Sequence, residues 1–332
     1  MPSPFSSAAP EPTPGAGPGS SASAASQPRD GRPSLSGHVL LAWRREQLRL
    51  GGSRDELDWL LDLCGGLSWN ALQRLLLSPD QPVKLAASLE EMAGLWERRL
   101  HTGEPLQYLV GRCPWRDLEL TVGPGVLIPR QETELLVELA QVQIAGRAEK
   151  QGRHPAQEPR LWADLGTGSG CLAAALARLW PSSRGFAVDL SPEALAVAKQ
   201  NLDRLGVLEQ LELLEGSWWD PLRPHWGQLD LVVANPPYIP DGIWHGLDPV
   251  VREHEPRLAL SSGADGLDAL RLIAADAATA LAPGGWLLLE HHHDQSPAVL
   301  ALLERSGLQN PCAHSDLEGK ARFASARRSP DG

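Results

Sequence analysis

The sequence lacks what a membrane or secreted protein needs. No stretch approaches the roughly 18 consecutive apolar residues of a membrane span, and no Lys or Arg precedes Arg29 to begin a secretory signal. A cytoplasmic protein without membrane contact is the expectation. Cysteine is scarce: Cys64, Cys113, Cys171 and Cys312 are scattered with no C-x-x-C pairing, which excludes a disulfide framework and a zinc ribbon and leaves reduced, mostly buried thiols. Positive charge is in deficit. With 30 basic against 41 acidic side chains the net charge is −11, the wrong sign for holding nucleic acid by bulk phosphate neutralisation.

What is present is ordinary globular composition, 332 residues of which 42% are hydrophobic, enough for two domains. Residues 1–36 are Pro, Ser, Ala and Gly with scarcely an apolar anchor, and read as a disordered tail. Residues 37–103 carry helical spacing, broken at Gly51-Gly52, Gly65-Gly66 and Pro79 to Pro82, with Ser53, Ser68 and Ser88 as candidate caps. This predicts a small all-helical domain, either a stabilising bundle or a surface that docks a macromolecular substrate. Residues 104–130 turn extended and read as a hairpin linker, and a helix follows over about Glu132 to Ala145, then a loop from Arg147 to Arg160.

From there short apolar strands alternate with amphipathic helices. Strands are predicted near Leu161–Leu165, Gly185–Asp189, Leu211–Leu214, Leu229–Ala234, Trp286–Glu290 and Ala321–Arg328, with helices near Gly170–Trp180, Pro192–Leu205 and Leu267–Leu281. Such alternation specifies an α/β fold, a doubly wound, mostly parallel sheet covered on both faces, over residues 131–332.

Three constellations carry chemistry. Asp164-Leu165-Gly166-Thr167-Gly168-Ser169-Gly170 lies between a strand and a helix, where glycines let a backbone approach a ligand and helix N–H groups face it. The G-x-G-x-G spacing and the absence of a following Gly-Lys-Ser/Thr tilt the ligand away from NAD and ATP; a merely tight turn is the alternative. Asp189 ends the second strand, placed either to accept hydrogen bonds from ribose hydroxyls or to cap the helix at Ser191-Pro192. Trp218 and Trp219 follow the third strand, where either could stack on an adenine or pack in the core.

Asn235-Pro236-Pro237-Tyr238 ends the fourth strand and is the most informative. Consecutive prolines stiffen the rim beyond the strand. The side-chain carbonyl of Asn235 and the backbone carbonyl of Pro236 can accept both N–H bonds of a planar NH2 group, and Tyr238 supplies a face for it to stack on. That orients a poor nucleophile and favours the more positive nitrogen of the transition state.

These motifs resemble those of class I S-adenosylmethionine-dependent methyltransferases. Within that superfamily the chain resembles the HemK/PrmC protein-(glutamine-N5) methyltransferases, which modify the glutamine of the Gly-Gly-Gln motif in peptide chain release factors. The likeness extends to Glu104-Pro105-Leu106-Gln107-Tyr108, Leu127-Ile128-Pro129-Arg130 with Glu132-Thr133-Glu134, Val251-Arg252 with Glu255-Pro256, and Leu288-Leu289-Glu290-His291. It implies S-adenosyl-L-methionine contacts at Gly166, Thr167, Gly168, Ser169, Gly170, Asp189, Trp218 and Asn235. It also implies that Asn235, Pro236, Pro237 and Tyr238 hold the substrate glutamine, with Asn235, Pro236 and Tyr238 catalytic, and that residues 37–103 dock the release factor. Ser217, His254 and His292 depart from the family pattern.

The run His291-His292-His293 invites a metal, but neighbours at a strand end point apart, so no metal is assigned and the imidazoles read as solvated or capping. Glu290 and Asp294 read as surface or turn residues. Arg130 reads as a bridge from linker to catalytic domain, or as a support for the substrate loop. The expectation is a monomer that takes release factors as substrate and forms no stable nucleic-acid complex. The alternatives are methylation of a ribosomal-protein glutamine, methylation of an exocyclic base amine in DNA or RNA, and a non-catalytic cofactor-binding module.

Overall fold

Ser53, Ser68 and Ser88 each start a helix by accepting a hydrogen bond from the backbone of its first turn. At Ser53 and Ser88 the third helical residue, Glu56 or Glu91, returns a bond to the cap's own N–H, closing a capping box. In the computed structural model, which describes residues 34–150 and 158–331, the helices so started are α2 (Arg54–Leu63), α3 (Trp69–Leu77) and α4 (Leu89–Thr102), preceded by α1 (Gly37–Leu50). They pack around Leu40, Leu57, Leu61, Leu72 and Trp96, all buried. The unit is not all-helical. Leu35–Ser36 (β1), read as tail from the sequence, pairs antiparallel with Pro82–Val83 (β2). The rest of the predicted tail, residues 1–33, lies outside the described residues.

The linker also departs from a plain hairpin. Leu106–Val110 is a short helix (α5), ended by Gly111 at φ +71°; the hairpin follows as β3 (Arg112–Trp115) and β4 (Leu118–Thr121). Apolar residues at every second position imitate a strand, but five residues with a left-handed glycine behind them close a helical turn instead. Next, α6 (Glu134–Lys150) runs into the stretch read as a loop, of which residues 151–157 lie outside the described residues.

A seven-stranded sheet follows, in the order β10-β11-β9-β8-β5-β6-β7. Its parallel strands are β5 (Leu161–Leu165), β6 (Arg184–Asp189), β7 (Leu211–Glu215), β8 (Leu229–Ala234) and β9 (Leu281–Glu290). The edge is antiparallel, built from β11 (Ala321–Arg327) against β9 and β10 (Gln309–Ser315) against β11. Alternate residues serve opposite layers: Trp162, Leu231 and Val233 pack into one core, Ala163, Val232 and Ala234 into the other. The covering helices include α7 (Cys171–Leu179), α8 (Pro192–Arg204), α10 (Asp268–Ala280) and α11 (Ser296–Arg305), while the short α9 (Pro249–His254) lies in the loop after β8 and buries none of its residues. Strand β10 and helix α11 were not anticipated. Because β5 pairs with β6 on one side and β8 on the other, the order reverses there and opens a crevice at the carboxyl ends of the strands.

Candidate active site

The crevice holds a main cavity lined by Gly166, Gly168, Asp189, Trp218, Asn235 and Pro237, with Val126 and Leu127 from the linker and Leu258 and Ala259 from the loop after β8. Gly166 (φ +76°) and Gly168 (φ +55°) adopt the left-handed backbone that glycine supplies freely. A Cβ on Gly166 would stand 3.3 Å from the Trp218 ring. Trp218 itself sits at φ +44°, a costly backbone for a bulky residue, and thereby turns its ring over the cavity. Trp219 points inward, buried, its Nε1 donating to Ile273 O at 2.9 Å. Of the two tryptophans, only Trp218 is at the site.

Asp189 accepts from Gly168 N at 2.8 Å and from Ser191 N at 2.9 Å, tying the glycine turn to the end of β6. Ser191, not Asp189, caps α8. Burial holds the Asp189 carboxyl above its usual range. Asp164 is deeper still: Oδ2 accepts from Thr167 Oγ1 at 2.7 Å and Ala173 N at 3.2 Å, while Oδ1 is buried without a partner. Its desolvation pushes the carboxyl up to about 7. Thr167 and Ser169, both buried, line a narrower cavity beside the glycine turn. Gly170 lines none of these cavities; it caps α7 and lets that helix approach Ala198 of α8.

A second cavity opens on the other side of Asn235, lined by Arg130, Pro236, Tyr238, Ile239, Leu247 and Val251. Asn235 borders it, the main cavity and the narrow one. Its Nδ2 donates to Thr133 Oγ1 at 3.0 Å. Among the described residues nothing donates to Asn235 Oδ1 or to the Pro236 carbonyl. The loop behind them is held firmly. Gln295 Nε2 donates to Tyr238 O at 2.9 Å, and Ile239 N donates to Leu260 O at 2.8 Å.

A model of the family described as "Methyltransferase domain" matches residues 163–248. The release factor glutamine methyltransferase of Prochlorococcus marinus is 49% identical over 294 residues, 89% of this chain and 98% of that protein. The enzyme of that name from Gloeobacter violaceus is 44% identical over 267 residues, 79% of this chain and 87% of that protein. The chain belongs to the release factor glutamine methyltransferase family. Among solved structures, the hMettl16 catalytic domain, in complex with the MAT2A 3′UTR hairpin 6, aligns over 72% of this chain and 80% of its own with TM-score 0.50 at 13% identity, a likeness of fold alone.

As a member of the release factor glutamine methyltransferase family the chain is a methyltransferase, and the family implies S-adenosylmethionine as methyl donor. Two polar residues at this member's site escaped the sequence reading. Glu290, taken for a surface or turn residue, is buried at the end of β9, where Oε2 accepts from Thr133 Oγ1 at 2.7 Å and Oε1 from Tyr238 Oη at 3.3 Å. Desolvation pushes this carboxyl up to about 7, against the bonds from Thr133 and Tyr238. Asp189 and Asn235 are legible from their places at the carboxyl ends of β6 and β8, and the end of β9 is an equal signal. Thr133, before α6, carried no signal beyond its place in Glu132-Thr133-Glu134.

The Arg130 bond fits both readings offered for it: its Nη2 donates to Glu255 Oε1 at 2.6 Å, which ties the linker to the loop after β8, while Glu255 Oε2 accepts from Ile128 N at 3.2 Å. The histidine run divides. His291 is buried, contrary to the solvated reading, whereas His292 caps a short turn. The rings of His292 and His293 do not diverge, since the chain leaves β9 in that turn and brings them to 4.3 Å, with His293 paired to Asp294 at 3.1 Å. Among the described residues no helix is long and apolar enough to cross a membrane.

Proposed function

We propose that this protein transfers a methyl group from S-adenosylmethionine to the side-chain amide nitrogen of the glutamine in the Gly-Gly-Gln motif of peptide chain release factors. The observation that carries the reading is the position of Asn235, on the wall common to the main and second cavities, with Nδ2 engaged and Oδ1 free. The main cavity suits the donor. Gly166 leaves beneath Trp218 the space a side chain would fill, Asp189 offers a carboxylate at the rim, and the buried Asp164 keeps an unpartnered oxygen behind the glycine turn. Gly166, Thr167, Gly168, Ser169, Asp189, Trp218 and Asn235 form the proposed donor site, with Gly170 closing the turn behind it at the start of α7. When bound, S-adenosylmethionine supplies an electrophilic methyl group.

The remaining work falls to the chain. An amide nitrogen is a poor nucleophile because its lone pair is delocalised into the carbonyl. Asn235 Oδ1 and Pro236 O accept its two N–H bonds, Pro237 stiffens the rim, and Tyr238 stacks on the amide plane. The nitrogen is thereby aimed from the second cavity toward the main one. Acceptors fixed beforehand favour the charge that develops on nitrogen, and water can take the proton after transfer.

The helical residues 37–103 dock the release factor. One direct link is available from this side: His254 Nε2, at the end of α9, lies 3.0 Å from Thr102 O of α4. The protein acts as a cytoplasmic monomer without stable nucleic-acid contact. Incubating the protein with a release factor and labelled S-adenosylmethionine, followed by fragment mass spectrometry, tests the reading. Methyl on the Gly-Gly-Gln glutamine supports it; methyl only on a ribosomal protein or on a nucleobase replaces it.

A further inference from the structure

We propose that Glu290 and Thr133 are positioning residues that fix which way round the Asn235 amide stands, and so whether the site presents an acceptor or a donor to the substrate. The inference rests on the function proposed above and names the device that keeps its acceptor oxygen pointed at the substrate.

Hydrogen-bond polarity decides the orientation. An ionised carboxylate can only accept. Glu290 therefore takes the single hydroxyl proton of Thr133 on Oε2 and that of Tyr238 on Oε1. With its proton committed, Thr133 Oγ1 can only accept, and the group 3.0 Å away must be the NH2 of Asn235. Oδ1 is then left facing the cavities. Protonation of Glu290 removes the constraint. The carboxyl can donate to Thr133 Oγ1, Thr133 can donate onward to Asn235, and the amide that satisfies this order is turned over. The site then meets a substrate NH2 with an NH2 of its own.

The groups facing Glu290 set where this change falls. Tyr238 and Thr133 bond to it, Glu132 ahead of α6 disfavours its charge, and Arg322 of β11 favours it. Burial outweighs these and brings the carboxyl to about 7. Tyr238 is driven well above its ordinary value by burial and by the Glu290 charge, so it remains a donor throughout.

The test uses the full chain labelled with [15N]asparagine. The sequence has four asparagines, Asn70, Asn201, Asn235 and Asn310, so the side-chain amide spectrum holds few signals and Asn235→Ala assigns the one of interest. In the wild type the Asn235 amide signal should shift with a midpoint near pH 7, and in Glu290→Gln it should be flat. A wild-type signal that does not titrate overturns the proposal, whatever any variant does. Methyl transfer to a release factor gives the second readout. Thr133→Val should lower kcat by about 10²-fold with S-adenosylmethionine affinity within about threefold, and Thr133→Ser should recover most of the loss. Wild-type kcat should rise with pH through about 7, and Glu290→Gln should abolish that step. Unchanged kcat in Thr133→Val, or parallel loss of cofactor binding, overturns the proposal. If the wild type methylates no glutamine, the function proposed above fails, while the amide titration still decides the polarity argument.

Discussion

Removing Arg130 should cost more stability than removing the charge of its partner, because the two ends of the ion pair differ in exposure. The Arg130 side chain is 34% exposed and that of Glu255 is 1% exposed, with 2.6 Å between them. In Arg130→Met the carboxylate keeps one donor, Ile128 N, and cannot reach water. A buried charge left so poorly compensated costs about 3 kcal/mol. In Glu255→Gln the side chain retains its shape and an acceptor, and the guanidinium can turn outward, so the loss is about 1 kcal/mol. Urea unfolding of both single variants and the double variant gives the comparison, and the double variant should cost less than the sum. Activity should follow, since the loop just beyond Glu255 lines both cavities through Ala259. Arg130→Met should therefore raise KM for cofactor and for substrate together. Equal costs, or a larger one for Glu255→Gln, would refute the reasoning from burial.

Asp189→Ala removes the acceptor of Gly168 N and Ser191 N and should weaken S-adenosylmethionine binding by about 10- to 100-fold in calorimetry. Gly185→Ala places a Cβ 2.3 Å from Trp162 Cζ2, whose indole is locked by a bond to Ser183 Oγ. Thermal unfolding should report an overpacking loss of about 1–3 kcal/mol. The Glu290 carboxyl, raised from 4.5 to about 7, keeps a proton in the folded protein that the unfolded chain has already released across that window. This group therefore lowers stability as pH rises from 4.5 to about 7, by about 1.4 kcal/mol per pH unit, and has no further effect above. Glu290→Gln should flatten that descent in denaturant titrations at stepped pH.

The strands buried on both faces were legible because their pattern is a continuous apolar run: Leu229–Ala234 was predicted with the bounds observed. Strand β10 was not, because it is an edge. Its residues are mostly exposed, and Asn310 and Pro311 break any apolar rhythm, so only pairing with β11 defines it. Helix α5 failed through the opposite ambiguity, an apolar run too short to display a period. At the site, contiguity decided what could be read. Asn235 to Tyr238 stand in one string whose stiffness and acceptors can be argued residue by residue. The Thr133 hydroxyl lies 102 positions from the Asn235 amide and 157 from the Glu290 carboxylate, and only the packing of α6 and β9 joins them. The burial that perturbs Glu290 belongs to the sheet, not to the residues beside it in the chain.

Asn235, which borders both cavities, contributes more to the transfer step than to binding either ligand. Single-turnover transfer to a release factor, measured with Asn235→Ala at saturating S-adenosylmethionine and saturating substrate, isolates that step. The rate should fall by about 10²-fold or more while the affinity for release factor stays near that of the wild type. An unchanged single-turnover rate would contradict the central claim.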